Sequence, residues 1–162
     1  RMIIRDVTPQ DAAAIAAINN PYILHTTISF ETEPLSTEAM RQRIESIASE
    51  CPYIVAESQG EIIGFAYAHP WKERKAYHRT LETTIYLAPA HQRKGLGTRL
   101  MQQLIERCRC VGAHALIACI TADNTASIEL HTRLGFRKVS HFTEVGCKFG
   151  QLLDVVDMEL ML

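Results

Sequence analysis

Gly95 and Gly97 stand where the apolar pattern of the chain switches from strand to helix. Residues 81–87 mix β-branched and aromatic side chains with alternating polarity, the pattern of a half-buried strand. Pro89 stops that strand, because proline has no N–H to give to a ladder. From Gly97 the apolar positions become Leu100, Met101, Leu104 and Ile105, one face of a helix. A glycine turn that opens a helix leaves bare N–H groups beside the positive end of the helix dipole, and so invites an anion. The spacing fits neither of the nucleotide fingerprints GxGxxG and GxxxxGKS/T.

The rest of the chain supplies the partners for this unit. Its 162 residues, 47% hydrophobic and 22% charged, suit one domain with a sizeable core. Residues 2–162 are read as that domain, and Arg1 as an addition ahead of Met2. A net charge of -1 gives no support for nucleic acid as a partner. No apolar run approaches the ~20 residues that span a bilayer, and no signal peptide is visible. No membrane partner is expected. The five cysteines, at 51, 108, 110, 119 and 147, are odd in number and scattered, which favours a reducing, cytoplasmic setting over a disulfide framework. Cys108 and Cys110 have no second Cys/His pair at zinc-like spacing, so no metal is expected.

Along the chain, residues 2–7 read as a short edge strand. Thr8 caps a helix that runs to about Asn20 and buries Ile15 and Ile18. Residues 21–34 carry no clean period, and a second helix begins near Ser36 with Met40, Ile44 and Ile47 on one face. Residues 53–57 and 62–69 form a hairpin about Gln59 and Gly60. After a charged connection, 70–78, and the strand–turn–helix unit, residues 115–121 form a central strand. Asp123 or Asn124 caps a helix that ends at Leu134, with Gly135 at its C′ position. Residues 136–142 and 152–160 are two further strands. The order predicts a mixed sheet with helices on both faces.

Gln92-Arg93-Lys94-Gly95-Leu96-Gly97 resembles the Gln/Arg-x-x-Gly-x-Gly motif of the GNAT N-acetyltransferases. The segment from Asn124 through Ser127 and His131 to Gly135-Phe136 resembles that family's later motif, Asn-x-x-Ala/Ser-x-x-x-Tyr-x-x-x-Gly-Phe. The resemblance implies the GNAT fold, of class α/β (α+β): a mixed, mostly antiparallel central sheet of about seven strands flanked by about four helices. It also implies that Arg93, Lys94, Gly95, Leu96, Gly97 and Thr98 cradle the phosphates of acetyl-CoA. The backbone of Ile85, Tyr86 and Leu87 would run beside the pantetheine arm, with Asn124 and Ser127 contributing from the later motif. A bulge near residues 85–87 is expected to splay the neighbouring strand and free an N–H for the thioester oxygen. His131 replaces the family's tyrosine, which protonates the departing thiolate; with an ordinary pKa near ~6.5 it can donate a proton or only hydrogen-bond the sulfur.

A narrower resemblance rests on residues 80–87, Leu130-His131, Gly146-Cys147-Lys148-Phe149-Gly150 and Asp154. These look like the phosphinothricin and methionine sulfoximine/sulfone N-acetyltransferase branch, which also carries histidine at the His131 position. Leu81 replaces a valine of that branch, and Leu152 stands where it usually has tryptophan.

Within this frame Glu82 is the candidate base, since a substrate ammonium must lose a proton before its nitrogen attacks a thioester. It lies five residues before Leu87, roughly 16 Å by strand rise. In the resembling branch the positions of Lys72, Glu73, Arg74, Glu82, Thr83 and Thr84 line the substrate pocket. Tyr77, with Trp71, would wall it, and Phe30 would close it from the far side. The expected activity is direct acetyl transfer from acetyl-CoA to the amine of a small amino-acid analogue, by a homodimer. The alternatives are a GNAT for another amine (polyamine, aminoglycoside, protein N-terminus) and a non-catalytic acetyl-CoA-binding module. Lys72, Arg74, Lys75 and Arg79 argue against a polyamine.

Overall fold

The strand–turn–helix unit lies at the middle of the sheet. The computed structural model describes residues 1–92 and 95–162, so Arg93 and Lys94 lie outside the described residues. The strands are β1 (Met2–Asp6), β2 (Tyr53–Ser58), β3 (Glu61–Pro70), β4 (Thr80–Leu87), β5 (Ala115–Thr121), β6 (Arg137–Lys148) and β7 (Gln151–Met161). The helices are α1 (Ala12–His25), α2 (Thr37–Ala48), α3 (Leu96–Cys110) and α4 (Thr125–Arg133). The strand order is β1-β2-β3-β4-β5-β7-β6, and every described pair is antiparallel except β4 with β5. This is the mixed sheet and four-helix architecture expected.

Two cores lie on the two faces of this sheet. On one, Leu100, Met101 and Leu104 of α3 pack with Ile54, Ala66, Leu116 and Val156. On the other, Ile15, Ile18 and Tyr22 of α1 and Met40 and Ile44 of α2 cover Tyr53, Val55 and Phe65. Gln59 and Gly60, both at positive φ, turn β2 into β3, the two-residue hairpin geometry that suits the twist of the strands. Phe149 and Gly150 do the same between β6 and β7.

Two sequence expectations, on the ends of α1 and β6, are corrected. Helix α1 does not stop near Asn20 but continues through Pro21 to His25. Burial of Tyr22 and Ile23 compensates for the N–H that proline lacks. Strand β6 does not end at Phe142; it runs to Lys148, with register shifts after Lys138 and between Phe142 and Gly146. There is no bulge in β4, whose register with β3 is unbroken from Leu81 to Leu87. The extra residue falls on β3, where Glu57 pairs Ile62 and Ala56 pairs Gly64.

Candidate active site

The opening in the sheet lies between β4 and β5, each of which stays in register with its outer neighbour. These two strands pair only from Thr80 with Ala115 to Glu82 with Ile117, and beyond that point they part. The Ala88 N–H bonds the Ile63 carbonyl. In an antiparallel ladder the backbone groups alternate sides, so even-numbered residues of β4 turn theirs to β3. Thr83, Ile85 and Leu87 therefore aim theirs at the gap, whereas Tyr86 sends its ring into the α1–α2 core. Tyr22 and Phe65 lie 4.9 and 5.6 Å from that ring, and burial pushes its pKa up to about 12.

The gap is lined on one side by Glu82, Thr83, Thr84, Ile85 and Tyr86. Cys119 and Thr121 of β5, the α4 cap residue Asn124, and Ser127 and His131 of α4 form the other side, with Ile28 at the rim. The Asn124 side-chain oxygen accepts from the Ser127 N–H and caps α4. Gly135, at φ 97°, ends the helical segment. The Thr83 hydroxyl is buried without a hydrogen-bond partner among the described residues, a cost that a bound polar group would remove.

His131 is buried, 5.0 Å edge-on from Phe136. Its Nδ1 lies 2.7 Å from the Ser127 carbonyl. A carbonyl only accepts, so Nδ1 carries the proton and Nε2 is bare in the neutral ring. Burial lowers the His131 pKa and favours that neutral form. As a thiolate acid, His131 must therefore first take up a proton.

Glu82 faces His69 of β3, its register partner, with Nε2 3.6 Å from the carboxylate. The adjacent Glu82 carboxylate holds the His69 pKa above its ordinary value. The strand register carries this pair, and sequence reading missed His69 because its place depends on counting through the β3–β4 ladder. It also missed Cys119, whose thiol faces the cleft. Surrounding protein, Asp157 and Glu82 push this thiol up to about 12. A raised thiol pKa disfavours the thiolate, the nucleophilic form.

Gly95, at φ 78°, leads into α3, whose first residues are Leu96, Gly97 and Thr98. Tyr22 braces this end of the site. Its hydroxyl donates to the Leu87 carbonyl at 2.5 Å and accepts from the Gln92 amide at 2.7 Å. One side chain thus ties the end of β4 to the start of the glycine turn. Tyr22→Phe is expected to raise KM for acetyl-CoA about fivefold, the worth of roughly one hydrogen bond, with kcat little changed. Steady-state kinetics with the two substrates varied separately check this.

The other sequence candidates lie apart from the gap lining. Lys72, Glu73, Arg74 and Tyr77 sit on the exposed loop between β3 and β4. There Trp71 and Tyr77 meet edge to face at 5.4 Å, and the Lys72 ammonium stands 4.6 Å over the Trp71 ring. Phe30 packs on Gly146 of β6. No cluster of three or more potential metal ligands occurs among the described residues.

The comparisons agree with this geometry. Residues 20–136 match the family model described as Acetyltransferase (GNAT) family. A phosphinothricin N-acetyltransferase of Streptomyces viridochromogenes is 38% identical over 94% of this chain and 83% of that protein. An L-methionine sulfoximine/L-methionine sulfone acetyltransferase of Salmonella typhimurium is 36% identical over 99% of this chain and 95% of that protein. Among solved structures, a phosphinothricin acetyltransferase from Sinorhizobium meliloti in complex with acetyl-CoA superposes with a TM-score of 0.96 at 34% identity, covering 99% of this chain and 88% of that one. With a sheet opened between β4 and β5, a glycine turn starting α3 and relatives matched along nearly its whole length, the chain belongs to the GNAT acetyltransferase family.

Proposed function

We propose that the protein moves an acetyl group from acetyl-CoA to the amino group of a small amino-acid analogue of the phosphinothricin, methionine sulfoximine or methionine sulfone type. The observation that carries this reading is the cleft itself. Glu82, paired with His69, and Ile85 stand on one wall, and His131 stands on the other. The named activities of the relatives support the substrate class.

The orphaned Thr83 hydroxyl and the broken ladder fit an extended polar arm such as pantetheine. Backbone groups of Ile85 and Leu87, the side chains of Asn124 and Ser127, and the Gly95–Thr98 turn with Arg93 and Lys94 would hold the cofactor. When bound, acetyl-CoA supplies an activated acyl carbon and a sulfur leaving group. The amine nitrogen sheds two protons as its bond to carbon forms and the carbon–sulfur bond breaks. Glu82, backed by His69, takes the first and passes it to solvent. The bare Nε2 of His131 takes the second and returns it to the sulfur. Phe30, Lys72, Glu73, Arg74, Tyr77, Thr83 and Thr84 shape the amine side, where an arginine fork suits a substrate carboxylate.

The decisive assay is thiol release from acetyl-CoA with each of the three analogues at millimolar concentration. Acetylation of at least one is expected. Failure with all three, alongside turnover of another amine, overturns the substrate class.

Residues 2–162 acting as one catalytic domain in a reducing cytoplasm complete the reading. All five cysteines are free, and no helix among the described residues is long and apolar enough to cross a membrane. A homodimer is part of it too. Val139, Phe142, Val145, Phe149 and Leu152 are exposed along the β6–β7 hairpin, which forms one edge of the sheet, and a second copy would cover them. Leu152→Glu is expected to shift a dimer towards monomer, read by light scattering across a dilution series.

A further inference from the structure

We propose that Lys148 and Gly146 are positioning residues that latch the α1–α2 connection over the amine side of the cleft and so set which side chains the pocket admits. This rests on the acetyltransferase reading above and adds to it a device outside the gap lining. The connection, residues 26–36, has no helix or strand of its own. It carries Ile28 at the cleft rim and Phe30, two residues on, against Gly146 of β6. Three of its contacts reach the strands of the sheet. The Thr121 hydroxyl of β5 donates to the Thr27 carbonyl at 2.8 Å. The Lys148 ammonium donates to the Ser29 carbonyl at 2.5 Å. Phe30 lies so close on Gly146 that a Cβ there would come within 2.6 Å of its ring Cζ.

Lys148 is only 6% exposed, an expensive place for an ammonium unless it is bonded. Burial lowers its pKa, and the Glu31 carboxylate opposes that shift. Its hydrogen bond spans 119 positions of sequence and ties the sheet edge to a connection that Arg43 of α2 also holds through Glu31 and Asn20 of α1 through Leu35. Gly146 is needed for a separate reason. It sits beside a shift in the β6–β7 register, and its bare backbone is the seat of the Phe30 ring. Ile28 and Phe30 thus take their positions from the β6–β7 hairpin as well as from the helices that flank them.

The test compares Lys148→Met, Lys148→Arg and Gly146→Ala with the parent enzyme, using methionine sulfone and acetyl-CoA. Lys148→Met and Gly146→Ala are expected to raise KM for the amine about tenfold, as loss of a charge-assisted bond or a ring seat implies. KM for acetyl-CoA should stay within about twofold, and Lys148→Arg should recover part of the loss. Equal changes in both KM values, or a fall in kcat alone, overturn the proposal. A second readout does not need turnover. Amide hydrogen exchange across residues 26–36 should speed about tenfold in Lys148→Met while α3 and α4 keep parental rates. Unchanged exchange in this segment overturns the latch even if KM moves. Faster exchange there upholds the latch even if the parent acetylates none of the analogues, which separates its fate from that of the proposed activity.

Discussion

Glu82→Gln is expected to lower kcat with methionine sulfone by at least about 100-fold, the lower bound for losing a positioned general base. The substitution keeps the side chain's shape, so the β4 register and the fold survive it. What disappears is the acceptor for the ammonium proton. Activity should recover as pH rises, because the free-amine fraction then grows without help. The neighbouring histidine provides an independent readout. Glu82 raises the His69 pKa from 6.5. The stability from this pair is therefore fully present below about pH 6.5 and is lost as pH climbs through the raised value. The variant should melt below the parent in mild acid, with the gap closing at alkaline pH. Full kcat across the pH range would remove Glu82 from the base role.

Gly97→Val should raise KM for acetyl-CoA about 30-fold, through a different part of the molecule. Gly97 is buried in the first turn of α3, and a Cβ there would sit 3.2 Å from Leu130 Cδ2 and 3.6 Å from Leu87 Cδ1. A methyl group already requires Leu130 to yield. The two further methyls of valine must push α3 away from α4 and the end of β4. Overpacking of this kind costs about 2 kcal/mol, which is roughly 30-fold in binding. Saturating acetyl-CoA should restore most of kcat. Titration calorimetry and kinetics check the two halves of this expectation separately.

The strand, the glycine turn and the helix were legible from residues 81–104 because each has a period or a punctuation mark that a sequence displays. Pro21 misled because its cost is local and visible, whereas the burial of Tyr22 and Ile23 that outweighs it is tertiary. The far half of β6 was hidden by the irregularity around Glu144, at φ 54°, which breaks the alternation a strand would show. Nothing in the residue types of β4 or β5 says that pairing stops after Glu82 and Ile117. The partner of Glu82 at His69 and the tie from Lys148 to Ser29 both cross the fold, and only coordinates bring them together. Glu82 and His131 themselves came from motif resemblance, and the sheet puts them along one cleft.

The short parallel pairing of β4 with β5 also bears on what kind of molecule can enter. Unpaired strand edges usually invite other chains to add a strand, with aggregation as the hazard. Here the unpaired edge faces inward, walled by β5 and by α4. A full strand entering that slot would have to seat its side chains against β5 and α4. A thin flexible tether with amides along its length would not. The fold thus turns a common liability of β-proteins into an inward slot that backbone and the side chains of α4 line together.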